Sequence, residues 1–340
     1  MNWRRVLLKQ PYPTVMKPYG RALVDLAYKR PEILCLTGDL TRQTEVDLFQ
    51  EQFPERFIHG GMAEANMISM AGALARRGFL PFVHTFGVFA TRRPLDQIIN
   101  SVAYPNLPVR IVGFMPGVSS PGGPSHQAID DVALMRAVPN MTVVDVADAT
   151  QIRAALPSIA DVPGPVYLRL KRGEIPVIFD DDHEFSLTTA QTLIEGTDLA
   201  VIASGMMLSS AINAAGTLAA DGVSASVVNV PVIKPLDTDS VIRAVSGVSA
   251  VITAENHSVI GGLGSAVAEA IAEAGLARPL RRIGLRDTFA EGARTAPYLF
   301  RKYRLGTQDI VDTAWELLRR QGQPPRVRAA EAAEGEYAPV

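Results

Sequence analysis

The chain has 340 residues, a single cysteine and a formal net charge of −2. The balanced charge excludes the strongly basic surface of a nucleic-acid-binding protein, and a chain of this length forms about two domains. A single cysteine excludes a disulfide framework, and no apolar run approaches the ~20 residues that cross a bilayer, so we expect a cytoplasmic protein without membrane or nucleic-acid partners.

The first half of the chain alternates between strand and helix periodicity. The sequence predicts strands at 33–36, 57–59, 81–86, 109–114, 142–146 and 166–170, and helices over 19–30, from 64 onward, around 95–102, near 129–137 and from 150. This alternation is typical of parallel βαβ units. Residues 12–175 are therefore predicted to form one α/β domain with a mostly parallel sheet flanked by helices.

A break in this rhythm precedes a second domain. Residues 176–195 contain the acidic run Asp180–Asp182 and are predicted as a linker. The pattern then resumes, with strands at 199–203, 227–230, 250–253 and 282–285 and helices at 265–274 and 310–318. A second α/β domain is predicted over 196–320, followed by a loose tail over 321–340, where Pro, Ala and Glu dominate without an apolar face.

Four short motifs follow one another as separate segments of the first domain. The first, Gly60–Met67, places Glu64 in the first turn of a helix, where the macrodipole favours a negative charge. Taken alone, a capping glutamate is the simplest interpretation. The others are Thr85–Phe89, Asp96–Gln97 and Gly122–Gln127.

In this order, the motifs resemble the pyrimidine-binding half of the transketolase family, which carries Ala-Glu-x-Asn-Met, Thr-Phe-x-x-Phe and Gly-Pro-Thr-His-Gln. Glu255–Gly264 resembles that family's carboxy-terminal domain, and we interpret its glycines as a strand-to-helix turn rather than a dinucleotide loop. The resemblance covers about residues 12–320 and leaves no room for the family's amino-terminal domain.

The resemblance therefore implies the second subunit of a split transketolase. The missing domain is the one that binds the pyrophosphate of thiamine diphosphate. The cofactor would be shared with an amino-terminal-type partner subunit, which would also hold Mg²⁺, and the assembly would be a heterotetramer. No histidine or cysteine spacing in this chain predicts a metal site of its own.

Several side chains would then bind the coenzyme. Glu64 would contact the pyrimidine ring nitrogen and favour the imino tautomer, which makes the exocyclic nitrogen basic. Phe86 and Phe89 would sandwich the ring, although their spacing is also typical of core packing. Arg92 stands where many members have a third aromatic residue, and Asp39–Leu40 match a segment beside the coenzyme but also a common turn.

Two further residues would meet the sugar phosphate substrate. His126 follows a glycine-rich loop and would contact the sugar near the reacting carbons; a loop histidine bonded to backbone is the alternative. Arg169 stands in an apolar strand, where an unpaired guanidinium would be costly, so an anion should meet it. The resemblance implies a substrate phosphate, and an internal salt bridge is the alternative.

The pocket also departs from the family pattern. Gly122, Phe114, Gln43 and Met16 fall at or near positions where many transketolases have polar or charged substrate contacts. These departures predict a donor or acceptor other than the usual pentose phosphates, such as a branched, deoxy or sulfonated sugar.

The implied reaction transfers a two-carbon ketol unit between a ketose and an aldose, with the coenzyme carrying the difficult step. Three alternatives stay open: the beta subunit of a 2-oxo acid dehydrogenase, a 1-deoxyxylulose-5-phosphate synthase-like enzyme, and a non-catalytic subunit that has lost its pocket. His257 is predicted as an interdomain structural residue, and the role of Arg93 stays open.

Overall fold

The computed structural model describes residues 10–320. The predicted tail and the first nine residues lie outside the described residues. Within the described range, no helix is both long and apolar enough to span a membrane.

The first domain alternates strands and helices as predicted. Its strands are β1 (Thr14–Met16), β2 (Ile33–Thr37), β3 (Phe57–His59), β4 (Leu80–Phe86), β5 (Arg110–Phe114), β6 (Thr142–Asp145), β7 (Val166–Leu170) and β8 (Glu174–Pro176). Its helices are α1 (Pro18–Lys29), α2 (Asp47–Gln52), α3 (Glu64–Ala75), α4 (Gly87–Thr91), α5 (Leu95–Gln97), α6 (Asp131–Ala137) and α7 (Ala149–Ala160), with a π-helical segment at Ile98–Ala103 and 3₁₀ turns at Pro54–Arg56, Gly117–Ser119 and Pro124–His126.

The second domain repeats the pattern. Its segment of the chain contains β9 (Gln191–Ile194), β10 (Leu199–Ala203), β11 (Ala225–Asn229), β12 (Val232–Lys234), β13 (Ala250–Ser258) and β14 (Leu280–Leu285). Its helices are α8 (Met207–Ala220), α9 (Thr238–Ser246), α10 (Leu263–Glu273), α11 (Ala296–Lys302) and α12 (Thr307–Arg320). The predicted fold class, two domains with mostly parallel sheets flanked by helices, is confirmed.

The strands read as near-continuous apolar runs because both faces of each sheet are covered. Every residue of β2, β5 and β7 is buried, which is typical of parallel strands packed between helical layers. One apolar cluster, with Leu23, Phe82 and Ile152, fills the space on one side of the first sheet, and a second cluster with Met67, Ile111 and Met135 fills the other. The lone thiol, Cys35, lies inside the first of these clusters.

Four short strands were not predicted. β1 and β8 pair antiparallel with each other as a two-stranded sheet. β9 lies inside the segment predicted as a linker and pairs antiparallel with β11 at the edge of the second sheet. β12 belongs to the second half of the chain, yet it pairs antiparallel with β6 and completes the seven-stranded sheet of the first domain. The two domains therefore share a sheet edge, which no local periodicity could indicate.

Five neighbouring parallel strands of the first sheet, in the order β7-β5-β4-β2-β3, end at the same edge. The segments that follow them carry the predicted site motifs. Ligands of open α/β sheets bind outside this carboxyl edge of the strands. The topology thus brings together side chains that lie far apart in the sequence.

Candidate active site

Glu64 is the first residue of α3, directly after the turn that follows β3. Its residue exposure is 8%, because α3 is held close to the sheet by Met67 and Ile68. Gly60 permits this approach, since a Cβ at that position would lie 2.6 Å from Met67 Cγ. The result is a nearly buried carboxylate at the ligand-binding edge of the sheet.

Two phenylalanines and a histidine lie together after β4 and β5. The rings of Phe86 and Phe89 stack with centroids 6.0 Å apart and planes 22° apart, and the ring of His126 meets Phe89 edge-on at 5.3 Å. Rings at these distances are in contact with one another. Phe86 and Phe89 therefore form an aromatic wall, and the predicted sandwich of the pyrimidine ring by these two side chains stays a prediction.

Arg93 joins this group. Its Nη1 donates a 2.7 Å hydrogen bond to Glu64 Oε1, and its guanidinium carbon lies 4.2 Å from the centroid of the Phe89 ring. The sequence left the role of Arg93 open. The structure places its guanidinium against both the carboxylate and the aromatic face of the site.

Arg92 has a different environment from its neighbour. Its Nε donates to both carboxylate oxygens of Asp130 at 2.9 and 3.0 Å, and its other nitrogens donate to the carbonyls of Pro124 and Gln127. Arg92 therefore fastens the end of α4 to the loop that carries His126. Arg92 stands at the position of the expected third aromatic residue, and its role there is to link two segments of the first domain.

His126 itself is half-buried. Its Nδ1 lies 3.0 Å from Ser125 Oγ, and the adjacent Gln127 side chain donates to the carbonyls of Ser120 and Glu291. The bond to the Glu291 carbonyl joins this loop to the second domain. The loop is therefore held from both domains while the imidazole remains beside Phe89.

Asp39 and Leu40 follow β2 at the same edge. Asp39 is exposed, and Leu40 is partly buried against the core of the first domain. The turn before them approaches the turn before α3 closely, because a Cβ on Gly38 would lie 3.0 Å from the carbonyl oxygen of Gly61. Their predicted contact with the coenzyme stays a prediction.

Arg169 does not face a substrate. Its guanidinium is 1% exposed and donates to Asp131 Oδ2 at 2.7 Å, Asp131 Oδ1 at 3.1 Å and Asp145 Oδ2 at 3.2 Å. It also donates to the carbonyls of Ala128 and Asn256, the latter in the second domain. This geometry corrects the expected phosphate contact, because groups of the chain itself satisfy the guanidinium.

The Arg169 guanidinium acts on the carboxyls beside it. Burial would raise the pKa of Asp131, yet Arg169 and His257 together hold it below its ordinary value. Tyr167 supports the same carboxylate, donating to Asp131 Oδ2 at 2.6 Å. Asp145 also accepts from Ser204, so this buried network joins the two domains.

His257 extends the same interdomain network. It is fully buried, with Nε2 3.4 Å from the backbone nitrogen of Ala133 and 3.8 Å from Asp131 Oδ1. Burial lowers its pKa. Nearby, Glu255 accepts from the backbone nitrogens of Leu263 and Gly264 at the start of α10, so the glycine cluster is the expected strand-to-helix turn.

A cationic cavity lies at the same carboxyl edge and was missed by the sequence analysis. It has a volume of about 370 Å³. Its lining includes Lys17, Arg42, Lys171 and Arg172, with Glu45 as the one acidic side chain. Arg172 follows β7 by two residues, so its position after a strand at the ligand edge was the available signal.

The cations of this cavity are not equally available. Lys17 pairs with Asp47, and the ammonium of Lys171 donates to the carbonyl of Glu174. Arg42 and Arg172 are exposed, and within residues 10–320 neither side chain makes a hydrogen bond. They are the cations free to meet an anionic ligand.

The donor set fits the pyrimidine half of a thiamine cofactor. Glu64 offers a nearly buried carboxylate, and Arg93 links it to the aromatic wall of Phe86 and Phe89. Within residues 10–320, no three His, Cys, Asp or Glu side chains are grouped so that they could hold a metal ion.

Comparison with protein families agrees with this geometry. Residues 12–177 match the model of the transketolase pyrimidine-binding domain, and residues 188–310 match that of the transketolase C-terminal domain. The chain belongs to the transketolase family. It carries the pyrimidine-binding and C-terminal domains of this family of thiamine-diphosphate-dependent transferases, as the motifs predicted.

Individual relatives point the same way. The chain is 44% identical over 304 residues to a 6-deoxy-6-sulfo-D-fructose transketolase subunit of Clostridium sp. (strain MSTE9), covering 89% of this chain and 94% of the relative. It is 37% identical to a putative transketolase C-terminal section of Methanocaldococcus jannaschii, covering 93% and 100%. A solved structure described as a split gene transketolase, inactive beta4 tetramer, is 42% identical, with a TM-score of 0.83 and coverage of 89% and 97%.

Proposed function

We propose that this chain supplies the pyrimidine side of an active site that is completed by a second subunit. Glu64 would contact the pyrimidine ring nitrogen, with Phe86 and Phe89 forming the wall beside it. The observation that carries the proposal is the nearly buried Glu64 carboxylate next to these rings at the carboxyl edge of a parallel sheet.

Glu64 suits this role because a nearly buried carboxylate accepts strongly from the ring N–H that the imino tautomer carries. When bound, thiamine diphosphate supplies the carbanion that breaks and remakes a carbon–carbon bond. Glu64 would favour the imino tautomer of the aminopyrimidine and so tune the base that generates the carbanion. His126, whose ring touches Phe89, would contact the sugar beside the reacting carbons.

A separate subunit would hold the diphosphate and Mg²⁺. The two matched domains occupy residues 12–177 and 188–310, and neither is the diphosphate-binding domain. The split gene transketolase whose fold this chain shares is described as an inactive beta4 tetramer, so four such chains associate there without activity. We propose a cytoplasmic heterotetramer of two such chains and two diphosphate-binding subunits.

The substrate would be a ketose with an anionic end. Arg42 and Arg172 line the cationic cavity with free guanidinium groups, and guanidinium binds phosphate and sulfonate oxygens through paired donors. Phe114 falls at or near a position where many transketolases have a polar or charged substrate contact, but here it is fully buried and apolar. Because a relative is named for a sulfo-sugar, we propose a sulfonated ketose, such as 6-deoxy-6-sulfo-D-fructose, as the donor.

The shared-site proposal is tested by comparing the purified chain with the complex it forms with a diphosphate-binding subunit, sought as the product of an adjacent open reading frame. We expect the chain alone to bind thiamine diphosphate weakly and to show no ketol transfer. Full activity of the chain alone would refute the shared site.

The role of Glu64 is tested in the reconstituted enzyme. Glu64→Gln keeps the size of the side chain but not its charge, so hydrogen–deuterium exchange at the thiazolium carbon should slow about 10²-fold or more. Glu51→Gln, an exposed glutamate on α2, is the matched control and should leave exchange unchanged. Equal exchange rates in both variants would mean that Glu64 only caps α3.

The donor is tested by a substrate screen. 6-Deoxy-6-sulfo-D-fructose, fructose 6-phosphate and xylulose 5-phosphate would be compared by kcat/KM, which reports transition-state binding for each. We expect the sulfonated sugar to be the best of the three. Xylulose 5-phosphate as the best donor would refute the proposed specificity.

A further inference from the structure

Arg93 contacts the two groups that the proposed function assigns to the aminopyrimidine. Its Nη1 donates to Glu64 Oε1 at 2.7 Å, and its guanidinium lies over the Phe89 ring with 4.2 Å between the guanidinium carbon and the ring centroid. A cation over an aromatic face is attracted by the ring quadrupole. Arg93 therefore contacts both the carboxylate and the aromatic wall.

A guanidinium and an aminopyrimidine have similar recognition features. Both are planar, both can stack on an aromatic ring, and both can donate to a carboxylate, the guanidinium through its N–H groups and the aminopyrimidine through its amino group or the ring N–H of its imino tautomer. Two planar groups cannot lie on the same face of Phe89 while bonding to the same oxygen of Glu64. Binding of the pyrimidine in this place therefore requires that Arg93 move.

The structure leaves Arg93 free to move. Its side chain is 53% exposed, and among the described residues it makes one side-chain hydrogen bond, to Glu64. Arg92 next to it is fastened by bonds to Asp130, Pro124 and Gln127. The backbone of this segment is thus fixed by Arg92, while the Arg93 side chain can leave the site without disturbing the fold.

We propose that Arg93 is an internal competitor for the aminopyrimidine: it pairs with Glu64 and covers Phe89, and the cofactor displaces it on binding. This inference rests on the proposed role of Glu64. It adds a displacement step that makes cofactor binding weaker than the pocket alone would allow. It also predicts that salt, which screens a partly exposed ion pair, strengthens binding of an uncharged pyrimidine.

The size of the effect follows from the exposure of the pair. An ion pair with an exposed partner makes the paired arrangement, with Arg93 on Glu64, about one to five times as populated as the arrangement in which Arg93 has left the site. Ligand affinity falls in proportion to the fraction of competent sites, so removing Arg93 should tighten binding about two- to sixfold.

The test uses the full chain and 4-amino-5-hydroxymethyl-2-methylpyrimidine, the pyrimidine half of the cofactor, in its neutral form. Ligand-detected NMR measures its affinity for wild type and for Arg93→Ala across a series of NaCl concentrations. Arg153→Ala is the matched control, because Arg153 is 56% exposed and pairs with Asp181 at 2.6 Å far from the site motifs in sequence.

We expect Arg93→Ala to bind about two- to sixfold more tightly than wild type, with Arg153→Ala unchanged. Added salt should tighten binding by wild type and not by Arg93→Ala. Equal or weaker binding by Arg93→Ala, or no binding by either protein, would overturn the inference.

A double-mutant cycle separates this inference from the proposed function. In a Glu64→Ala background, Arg93→Ala should change the affinity less than it does in wild type, because the ion pair is already absent and only the contact of Arg93 with Phe89 remains to be removed. If Glu64→Ala alone leaves binding unchanged, the proposed role of Glu64 fails. If Glu64→Ala weakens binding but Arg93→Ala has no effect in the wild-type background, only the competitor role of Arg93 fails.

Discussion

Replacement of Arg169 by methionine tests whether this arginine is structural. The substitution keeps an unbranched apolar stem and removes the guanidinium. Asp131 and Asp145 would then remain buried without their cation, and the carbonyls of Ala128 and Asn256 would lose a donor. Removing one partner of a buried ion pair leaves an uncompensated charge in a low-dielectric interior.

The expected loss is large because the side chains of Arg169 and Asp131 are 1% and 0% exposed. Breaking a buried pair costs about 3 to 5 kcal/mol, and no reduction for solvent screening applies to this one. The matched control is Arg153→Met, whose partner Asp181 is 88% exposed. A surface pair of that kind contributes about 0 to 1 kcal/mol.

The assay is urea unfolding of the full chain, followed by far-ultraviolet circular dichroism at several pH values. Arg169 holds the pKa of Asp131 below its ordinary value, so the stability that this pairing contributes is present above about pH 4 and is lost as the pH falls. The difference between wild type and Arg169→Met should therefore narrow on acidification.

Two results would refute this account. One is a loss of stability no larger than that of Arg153→Met. The other is an unchanged unfolding midpoint together with a raised KM for anionic donors, which would return Arg169 to the substrate-binding role implied by the resemblance.

Three further predictions concern the cavity, the wall and the buried acids. Arg172→Ala should raise KM for an anionic donor about tenfold or more without lowering the unfolding midpoint, because it removes an exposed, unpaired cation; equal effects on a neutral analogue would contradict this. Phe86→Ala should weaken cofactor binding first, whereas His126→Ala should slow ketol transfer at near-normal cofactor affinity; calorimetry and steady-state kinetics separate the two, and equal losses of affinity would misplace His126. Burial raises the pKa of Asp148 to about 6 and of Glu255 to about 7, so the stability that these protonated acids contribute is lost as the pH rises. Buried His84 and His183, whose pKa values burial lowers to about 4, act in the opposite direction, so the test is a comparison with Glu255→Gln: the unfolding midpoint of wild type relative to this variant should decrease from about pH 5 to pH 7.5, and a constant difference would contradict the assignment.

Local periodicity predicted most of the architecture because the parallel strands are buried on both faces. β2 and β7, for example, have the continuous apolar composition that such burial requires. β12 was not predicted, because its own sequence carries no such pattern. It is three residues long and pairs with β6, a strand of the other domain, so its existence depends on a distant register and not on its own pattern.

The candidate site shows the same division between local and distant information. The position of Glu64 at the start of a helix was evident from the turn residues and periodicity around it. For Arg169, elementary electrostatics required an anion, but the sequence could not say which one. Asp131 and Asp145 lie on other elements and meet Arg169 only in the folded chain. The exposed cations at this edge are instead Arg172, beyond the end of the same strand, and Arg42.

If the active site is shared between subunits, as proposed, each subunit alone must satisfy its functional groups with its own atoms. Glu64 is nearly buried, and a desolvated carboxylate without a partner is costly. Arg93 removes that cost, and it does so from the aromatic face that a pyrimidine would occupy. The contact that stabilises the chain is therefore the contact that cofactor binding must break, so we expect stability of the chain and affinity for the cofactor to change in opposite directions when Arg93 is replaced.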